Sequence, residues 1–252
     1  MITIYFHPSC ATSYEVIRGL KAAGALEKVR LVRTVNPSAA LAARVWSVPW
    51  VTIDGAPVAT DPTSADEVLA ILRGERVDVG DAEEAFMTAV LHSSFASAVA
   101  LLHGDVKPVV DEEFVSAALR APLSGADVRR AAEAIRSKSS RLFEEWRDKI
   151  RRALAVSFVR EAYWASGGSI TPEDVESLAN PLSVGLWVIG KASIGRSALP
   201  AVPSRPPMED LEAMASFVRR SARGLLLKVA EEQRAIYSDA EYLKLVESLP
   251  DL

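Results

Sequence analysis

The 252-residue sequence has a single cysteine, Cys10, and very few amide side chains: two asparagines and one glutamine. One cysteine excludes an intramolecular disulfide, and it also excludes a cysteine-rich zinc or iron–sulfur site. A lone thiol is typical of proteins of the reducing cytoplasm, so we expect a cytoplasmic protein. The shortage of thermolabile amides resembles the composition of thermophilic proteins and carries no information about activity.

A surplus of one charge and long apolar runs are also missing. Lysine and arginine total 29 against 33 for aspartate and glutamate, a formal charge of −4, which argues against nucleic acid as a partner. The most apolar window, 181–190, is about half as long as a membrane span. Residues 1–6 lack the basic start of a signal peptide. We therefore expect no membrane partner. With 49% hydrophobic and 25% charged residues, the composition indicates a globular chain.

The spacing of apolar residues changes near residue 80. Over 1–76, short β-branched runs alternate with helical spacing, which predicts an α/β domain with the element order β-α-β-α-β-β-α. Ser38 and Ser64 are the expected caps of its second and third helices, and Asp54-Gly55 predicts a hairpin turn. The predicted strands are 2–6, 29–35, 50–53 and 57–59, and the predicted helices are 10–25, 38–45 and 64–72.

Residues 81–252 have helical spacing and no strand-like alternation, which predicts an all-α helical bundle domain. Thr171 and Ser238 are expected to cap two of its helices. Four prolines within 199–207 exclude a helix there and predict a loop. The predicted helices are 82–102, 111–119, 126–165, 172–193, 208–235 and 239–247.

The strongest chemical signal is the position of Cys10, which follows the first predicted strand and opens the first predicted helix. A helix N-terminus favours a thiolate, so we expect the pKa of Cys10 to be lowered and its sulfur to be nucleophilic. Ser13 could reach that sulfur from the first turn, and His7, if protonated, would add positive charge. The alternatives are an inert buried Cys10, a Ser13 that only satisfies the helix start, and a His7 without a task.

Two segments carry a family resemblance. Residues 4–13, with the run His7-Pro8-Ser9-Cys10-Ala11-Thr12-Ser13, resemble the active-site opening of glutaredoxins and of the wider thioredoxin-like superfamily, where a Cys-x-x-Cys or Cys-x-x-Ser motif stands. Residues 47–55 resemble the family's Thr-Val-Pro stretch, whose proline is cis and faces the cysteine. The likeness covers about the first 75 residues. It implies a thioredoxin-like N-terminal domain, and the helical region that follows is similar to glutathione transferases in architecture alone.

The resemblance implies roles for further residues. Val48, before Pro49, would offer its backbone N–H and C=O to an extended substrate. Trp50 would line the substrate groove, with packing in the core as its alternative. The family's double glycine after the last strand is not present in the matching stretch 58–62, but Asp61 in that stretch would hold an amino group of the substrate. Because Ser13 replaces the family's second cysteine, any redox cycle would need an external thiol.

These observations predict a monothiol redox protein in which Cys10 attacks disulfides or mixed disulfides. A glutathione-transferase-like enzyme that conjugates a thiol to an electrophile, and a non-enzymatic thioredoxin-fold binding module, are the alternatives. The expected partner is a small thiol or a protein thiol or disulfide, and a homodimer is left open. No cofactor is firmly implied, glutathione or another small thiol is left open, and no metal is expected. His92 and His103, predicted three turns apart on one helix, are interpreted as structural.

Overall fold

The computed structural model describes residues 1–195 and 206–252, which form four strands and thirteen α-helices. The strands are β1 (Ile2–Phe6), β2 (Val29–Arg33), β3 (Trp50–Ile53) and β4 (Ala56–Thr60). The helices are α1 (Ala11–Ala22), α2 (Pro37–Ala42), α3 (Ala65–Leu72), α4 (Ala82–His92), α5 (Ser94–His103), α6 (Glu112–Ala118), α7 (Ala121–Ser124), α8 (Val128–Ser137), α9 (Ser139–Ala165), α10 (Pro172–Leu178), α11 (Pro181–Gly195), α12 (Met208–Tyr237) and α13 (Ala240–Glu247). The predicted loop 199–207 lies, except for its last two residues, outside the described residues.

Two compact units share the chain. Unit 1 contains Met1–Ser93, Val110–Lys138 and Ile236–Leu252, and unit 2 contains Ser94–Val109 and Ser139–Ala235. The predicted folding domains, 1–76 and 81–252, stay a prediction, because compactness does not establish which segments fold independently. The coarser expectation, a mixed sheet near the N-terminus followed by helices, is confirmed.

Unit 1 is built on a four-stranded sheet in the order β2-β1-β3-β4. The central strand β1 pairs in parallel with β2 and antiparallel with β3, and β4 is antiparallel to β3. Alternate residues of β1 point into the core, where Ile4 and Phe6 are fully buried. The β3–β4 hairpin turns at Asp54 and Gly55, both with positive φ, as the two-residue turn predicted.

The core of unit 1 joins the sheet to both ends of the chain. α1 buries Val16, Ile17 and Leu20 at helical spacing against the sheet. Ile236 and Val246, from the last seventeen residues, belong to the same apolar cluster. The C-terminal segment is therefore part of the unit that carries Cys10.

Helix caps explain several differences from the predicted bounds. α2 is capped by Asn36, whose side chain accepts from Ser38 and Ala39, so the predicted cap Ser38 was wrong. α13 is capped by Asp239 and not by Ser238. Ser64 caps α3 as predicted. The cap of α10 is Thr171, with a capping box from Asp174.

The long predicted helices are interrupted. Ser93 separates α4 from α5, Lys138 separates α8 from α9, and Asn180 precedes the proline that starts α11. His92 and His103 therefore lie on two helices, and the prediction of one shared helix was wrong. A proline disfavours helical backbone in the residue before it, which accounts for the break at Asn180.

Within the described ranges, no single helix has both the length and the apolarity of a membrane span, and only α4 and α5 meet that standard when taken together.

Candidate functional site

Cys10 is the N-cap residue of α1, directly after the turn that follows β1. The turn is closed by a hydrogen bond from the Cys10 backbone N–H to the His7 carbonyl, at 3.0 Å. Cys10 is half-buried as a residue. The site is therefore fixed by a strand, a short turn and the first turn of a helix.

Hydrogen bonds of opposite polarity meet at the Cys10 sulfur. The Ser13 backbone N–H donates to Sγ at 3.5 Å, an interaction that favours the thiolate. As a thiol, Sγ also donates to the Val48 carbonyl at 3.4 Å, an interaction that favours the protonated form. Sγ thus lies at the loop that precedes β3, and the sulfur can switch between a donor and an acceptor role.

The loop opposite Cys10 has the backbone geometry that the resemblance implied. The Val48–Pro49 peptide bond is cis, and so is the Asp61–Pro62 bond, which the sequence did not indicate. Val48 is half-buried and Pro49 is buried. The hydrogen bond between Sγ and the Val48 carbonyl places this loop beside Cys10. Substrate contact at Val48 and Pro49 stays a prediction.

Trp50 lies in the core rather than along a groove. It is 2% exposed and stacks on Phe114, with ring centroids 6.4 Å apart. Trp46 is 1% exposed and stacks on the same ring at 5.5 Å. Both tryptophans fill the space between the sheet and α6, which fits the core alternative, and substrate contact by Trp50 stays a prediction.

His7 and Ser13 lie on either side of Cys10 along the chain. The His7 Nδ1 atom accepts from the Ser9 N–H at 3.1 Å, so the imidazole takes part in the turn before α1. The expected positive charge of His7 stays a prediction. Ser13 is fully buried, and its backbone N–H contacts Sγ. Its hydroxyl has no hydrogen-bond partner among the described residues.

Asp61 follows β4 at the same end of the sheet as the Cys10 turn. The register aligns Tyr5 with Trp50 and Trp50 with Thr60, so β1 and β4 both run out at this edge. The Asp61 side chain is 9% exposed. Its Oδ2 atom lies 3.1 Å from Nδ1 of His92, and its buried Oδ1 has no partner in the described part of the chain.

Arg120 holds the segment on both sides of Asp61. It is 8% exposed and has a left-handed backbone, with φ of 49°. Its guanidinium donates to the carbonyls of Thr60 and Pro62 and, at 2.6 Å, to the Glu67 carboxylate. A non-glycine residue persists in this conformation only where surrounding contacts determine it, and here five hydrogen bonds do so.

The C-terminal segment supplies two tyrosines to the Cys10 turn. Tyr237 and Ser9 share a hydrogen bond of 2.7 Å between their hydroxyls, and Tyr242 donates to the Pro8 carbonyl at 3.0 Å. Tyr242 is buried, and its pKa is raised first by that burial and next by the negative charge of Cys10. Its hydroxyl therefore stays protonated and anchors the turn.

Asp239 ties this segment to α1. It caps α13 and accepts from the Tyr14 hydroxyl at 3.1 Å and from the Arg18 guanidinium. The pKa of Asp239 is lowered, first by the backbone N–H of Tyr242 and then by Arg18 and Tyr14. The helix that carries Cys10 is thus fixed to the end of the chain by charge and hydrogen bonds.

Sequence reasoning missed His92, Arg120, Tyr237 and Tyr242. The partners of these residues lie 31 to 234 positions away along the chain, so no local pattern connects them to Cys10. The only local signal was the turn of aromatic and acidic residues at 237–242, which indicated a helix start and nothing about the thiol.

Comparison with known proteins adds no family: no family model, no curated protein and no solved structure matches the chain. In the described residues, no group of three or more histidine, cysteine, aspartate or glutamate side chains is placed to hold a metal ion.

Proposed function

We propose that the protein is a monothiol redox protein in which Cys10 is the nucleophile toward disulfides or mixed disulfides. The observation that carries the proposal is a half-buried cysteine at a helix N-cap, whose sulfur lies within hydrogen-bond distance of both the Ser13 N–H and the Val48 carbonyl. The helix N-terminus stabilises a thiolate, which is the reactive form.

The reaction has two exchange steps. The Cys10 thiolate attacks one sulfur of R–S–S–R′, the disulfide bond breaks, and R′–S⁻ leaves and takes up a proton. A second thiolate, R″–S⁻, then attacks the R sulfur of the Cys10–S–S–R mixed disulfide, which forms R–S–S–R″ and releases the Cys10 thiolate. Because Cys10 is the only cysteine, the reducing electrons come from this external thiol.

In this proposal the Val48 carbonyl becomes available to a substrate when Cys10 loses its proton. It accepts from the Cys10 thiol, and ionisation of Cys10 removes that donor. The carbonyl can then accept an N–H from an extended substrate, in the manner of an added strand. Charge-assisted hydrogen bonds are about twice as strong as neutral ones. Ionisation of Cys10 would therefore strengthen the hydrogen bond from the Ser13 N–H while it removes the one to the Val48 carbonyl.

We also propose that the sheet and its flanking helices form a thioredoxin-like domain. The element order β-α-β-α-β-β-α, the mixed sheet and the placement of the loop before β3 beside Cys10 support this assignment. In this proposal Asp61 receives an amino group of the thiol substrate, as the resemblance implied, and a small thiol such as glutathione is the reductant.

The test uses the single cysteine as its own reporter. The folded protein is incubated with excess cystamine or glutathione disulfide, and intact-mass spectrometry measures the mixed disulfide. We expect one adduct per chain in the wild type and none in Cys10→Ser. The rate constant for Cys10 alkylation is then measured against pH in the native protein and in urea. Adduct formation and alkylation that are no faster in the native protein than in urea contradict the proposal.

The same samples separate the alternatives. Conjugation of a thiol to an electrophile that survives in Cys10→Ala assigns the activity to a transferase with another catalytic residue. A native wild type without adduct, and with an unchanged fold in Cys10→Ser, favours the binding module.

A further inference from the structure

A cavity of about 450 Å³ lies in unit 2, and we call it the α12 groove. One face of α12 contributes Leu226, Leu227 and Ala230, and Ile170 and Pro172 belong to the wall formed by the end of α9 and the start of α10. Sites for small molecules commonly measure about 300–1,000 Å³ and are mostly apolar, with a few polar groups that fix orientation. The α12 groove has this size and composition, and all of its lining residues belong to unit 2.

Two arginines, Arg223 and Arg234, mark the ends of the α12 groove. They lie eleven positions apart on α12, which is about 16 Å by helical rise. Both are exposed, and in the part of the chain that the structure describes neither guanidinium has an ion-pair partner. In contrast, Arg147, Arg151 and Arg160 of the same unit all pair with carboxylates. The groove therefore carries a positive charge at each end that the described residues do not pair.

Tyr163 adds a hydroxyl to one end of the α12 groove. Its neighbour Trp164 donates the indole N–H to Gln233 at 2.9 Å, so this turn of α9 lies beside the turn of α12 that carries Arg234. Within the described ranges the Tyr163 hydroxyl has no hydrogen bond. A Cβ on Gly168 would lie 3.0 Å from that hydroxyl oxygen, so a larger residue there would displace it. The Arg234 end thus offers two donors, a guanidinium and a phenol.

We propose that the α12 groove binds a small apolar molecule that carries a carboxylate. The carboxylate lies at the Arg234 end, where the guanidinium presents paired N–H groups that match its geometry and Tyr163 adds an O–H. The hydrocarbon part lies along Leu226 and Leu227, and it removes Leu227, 58% exposed, from water. Arg223 offers one donor group at the opposite end, so it contributes less than the Arg234 end does.

The test follows a fluorescent anion in the full chain. The probe is 8-anilinonaphthalene-1-sulfonate, and its matched neutral analogue is N-phenyl-1-naphthylamine. Octanoate and octan-1-ol compete with the probe at low ionic strength, each below its solubility limit and critical micelle concentration. We expect the inhibition constant of octanoate to be about fivefold below that of octan-1-ol, because Arg234 is exposed and one exposed charge pair contributes no more than this.

The variants separate the anion contact from the groove itself. Arg234→Met should weaken binding of the sulfonated probe about fivefold and leave the neutral analogue unchanged, and Tyr163→Phe should weaken the sulfonated probe about twofold. Ala230→Phe fills the groove and should abolish binding of both. Arg129→Met removes an exposed arginine of unit 1 and is the matched charge control, with no effect on either. Leu186→Ser removes an exposed leucine of α11 and should also have no effect.

Four outcomes overturn the inference. They are equal inhibition constants for octanoate and octan-1-ol, full affinity for the sulfonated probe in Arg234→Met, binding that Leu186→Ser abolishes and Ala230→Phe does not, and a larger loss in Arg223→Met than in Arg234→Met. None of them bears on the proposed function, because the groove lies outside the unit that carries Cys10. Cys10→Ser should accordingly bind the probe as the wild type does.

Discussion

Gly19 is the point at which α1, the helix that starts at the Cys10 cap, comes closest to α3. A Cβ atom built on Gly19 would lie 2.3 Å from the Cβ of Ala65, the first residue of α3. Carbon atoms pack best at about 3.5–4.0 Å, so the contact would be too short by about 1 Å or more. Gly19→Ala therefore forces the two helices apart.

Two opposing effects set the size of this change. Alanine favours a helix interior over glycine by about 1 kcal/mol, which would stabilise α1. Insertion of a methyl group into a filled space costs about 1–3 kcal/mol, and both atoms here are attached directly to backbone with no side-chain freedom to relax. The difference is a fall in the free energy of unfolding of about 0–2 kcal/mol for Gly19→Ala, and we expect a value toward the upper end because neither atom can rotate away.

Gly224 provides the matched control. It also lies inside a helix, α12, but a Cβ there would meet no atom within 4 Å among the described residues, apart from its chain neighbours and the backbone of its own helix. Gly224→Ala should stabilise the protein by about 0.5–1 kcal/mol. Urea titration monitored by far-UV circular dichroism measures both variants, and the rate of Cys10 alkylation reports whether the start of α1 has moved.

A double-mutant cycle isolates the contact. Ala65→Gly removes the opposing methyl group, so Gly19→Ala in the Ala65→Gly background should cost at least 1 kcal/mol less than in the wild type. If Gly19→Ala stabilises the protein as much as Gly224→Ala does, or if the cycle shows no coupling, the close approach of α1 and α3 is refuted.

Two further predictions concern the supports of the site. Because the pKa of Asp239 is lowered in the folded state, its stabilising contribution is complete above the unfolded pKa, near 3.8, and is lost as the pH falls through the lower folded value. Urea midpoints between pH 7 and pH 2.5 should therefore fall less in Asp239→Asn, which keeps the cap acceptor, than in the wild type, and equal slopes would contradict this. Arg120→Met leaves the Glu67 carboxylate with the Thr63 hydroxyl as its remaining described donor and removes the guanidinium from three backbone carbonyls, so it should cost about 3 kcal/mol in urea titration. The double variant Arg120→Met with Glu67→Gln should lose less stability than Arg120→Met alone. A cost below 1 kcal/mol for Arg120→Met would show that Arg120 does not hold the segment from Thr60 to Pro62.

The strands were predictable because their signals are local. Ile2–Phe6 and Trp50–Ile53 match the predicted bounds, since β-branched and aromatic runs end at residues that turn the chain. The hairpin at Asp54 and Gly55 was predictable for the same reason, because those two residue types tolerate positive φ.

The helix breaks were less accessible to sequence reasoning. Apolar spacing continues through Ser93 and Lys138, so periodicity alone joined α4 to α5 and α8 to α9. At Ser93 a tertiary contact accompanies the break, because its hydroxyl donates to the Trp46 carbonyl at 2.6 Å. Asn180-Pro181 was the exception, since a residue before proline is a local signal for a helix boundary that the prediction did not use.

The candidate site also contains contacts that local sequence predicts and contacts that it does not. Cys10 and Ser13 interact across three positions of one helix start, which spacing can predict. The hydrogen bond from Sγ to Val48 crosses 38 positions, and the resemblance implied only that the proline loop faces the cysteine. The partners of Asp61, Ser9 and Pro8 come from α4 and the C-terminal segment, which only the folded chain brings to the edge of the sheet. A helix cap can therefore predict a reactive thiol from local sequence, whereas the residues that surround this thiol become its neighbours only when the unit has folded.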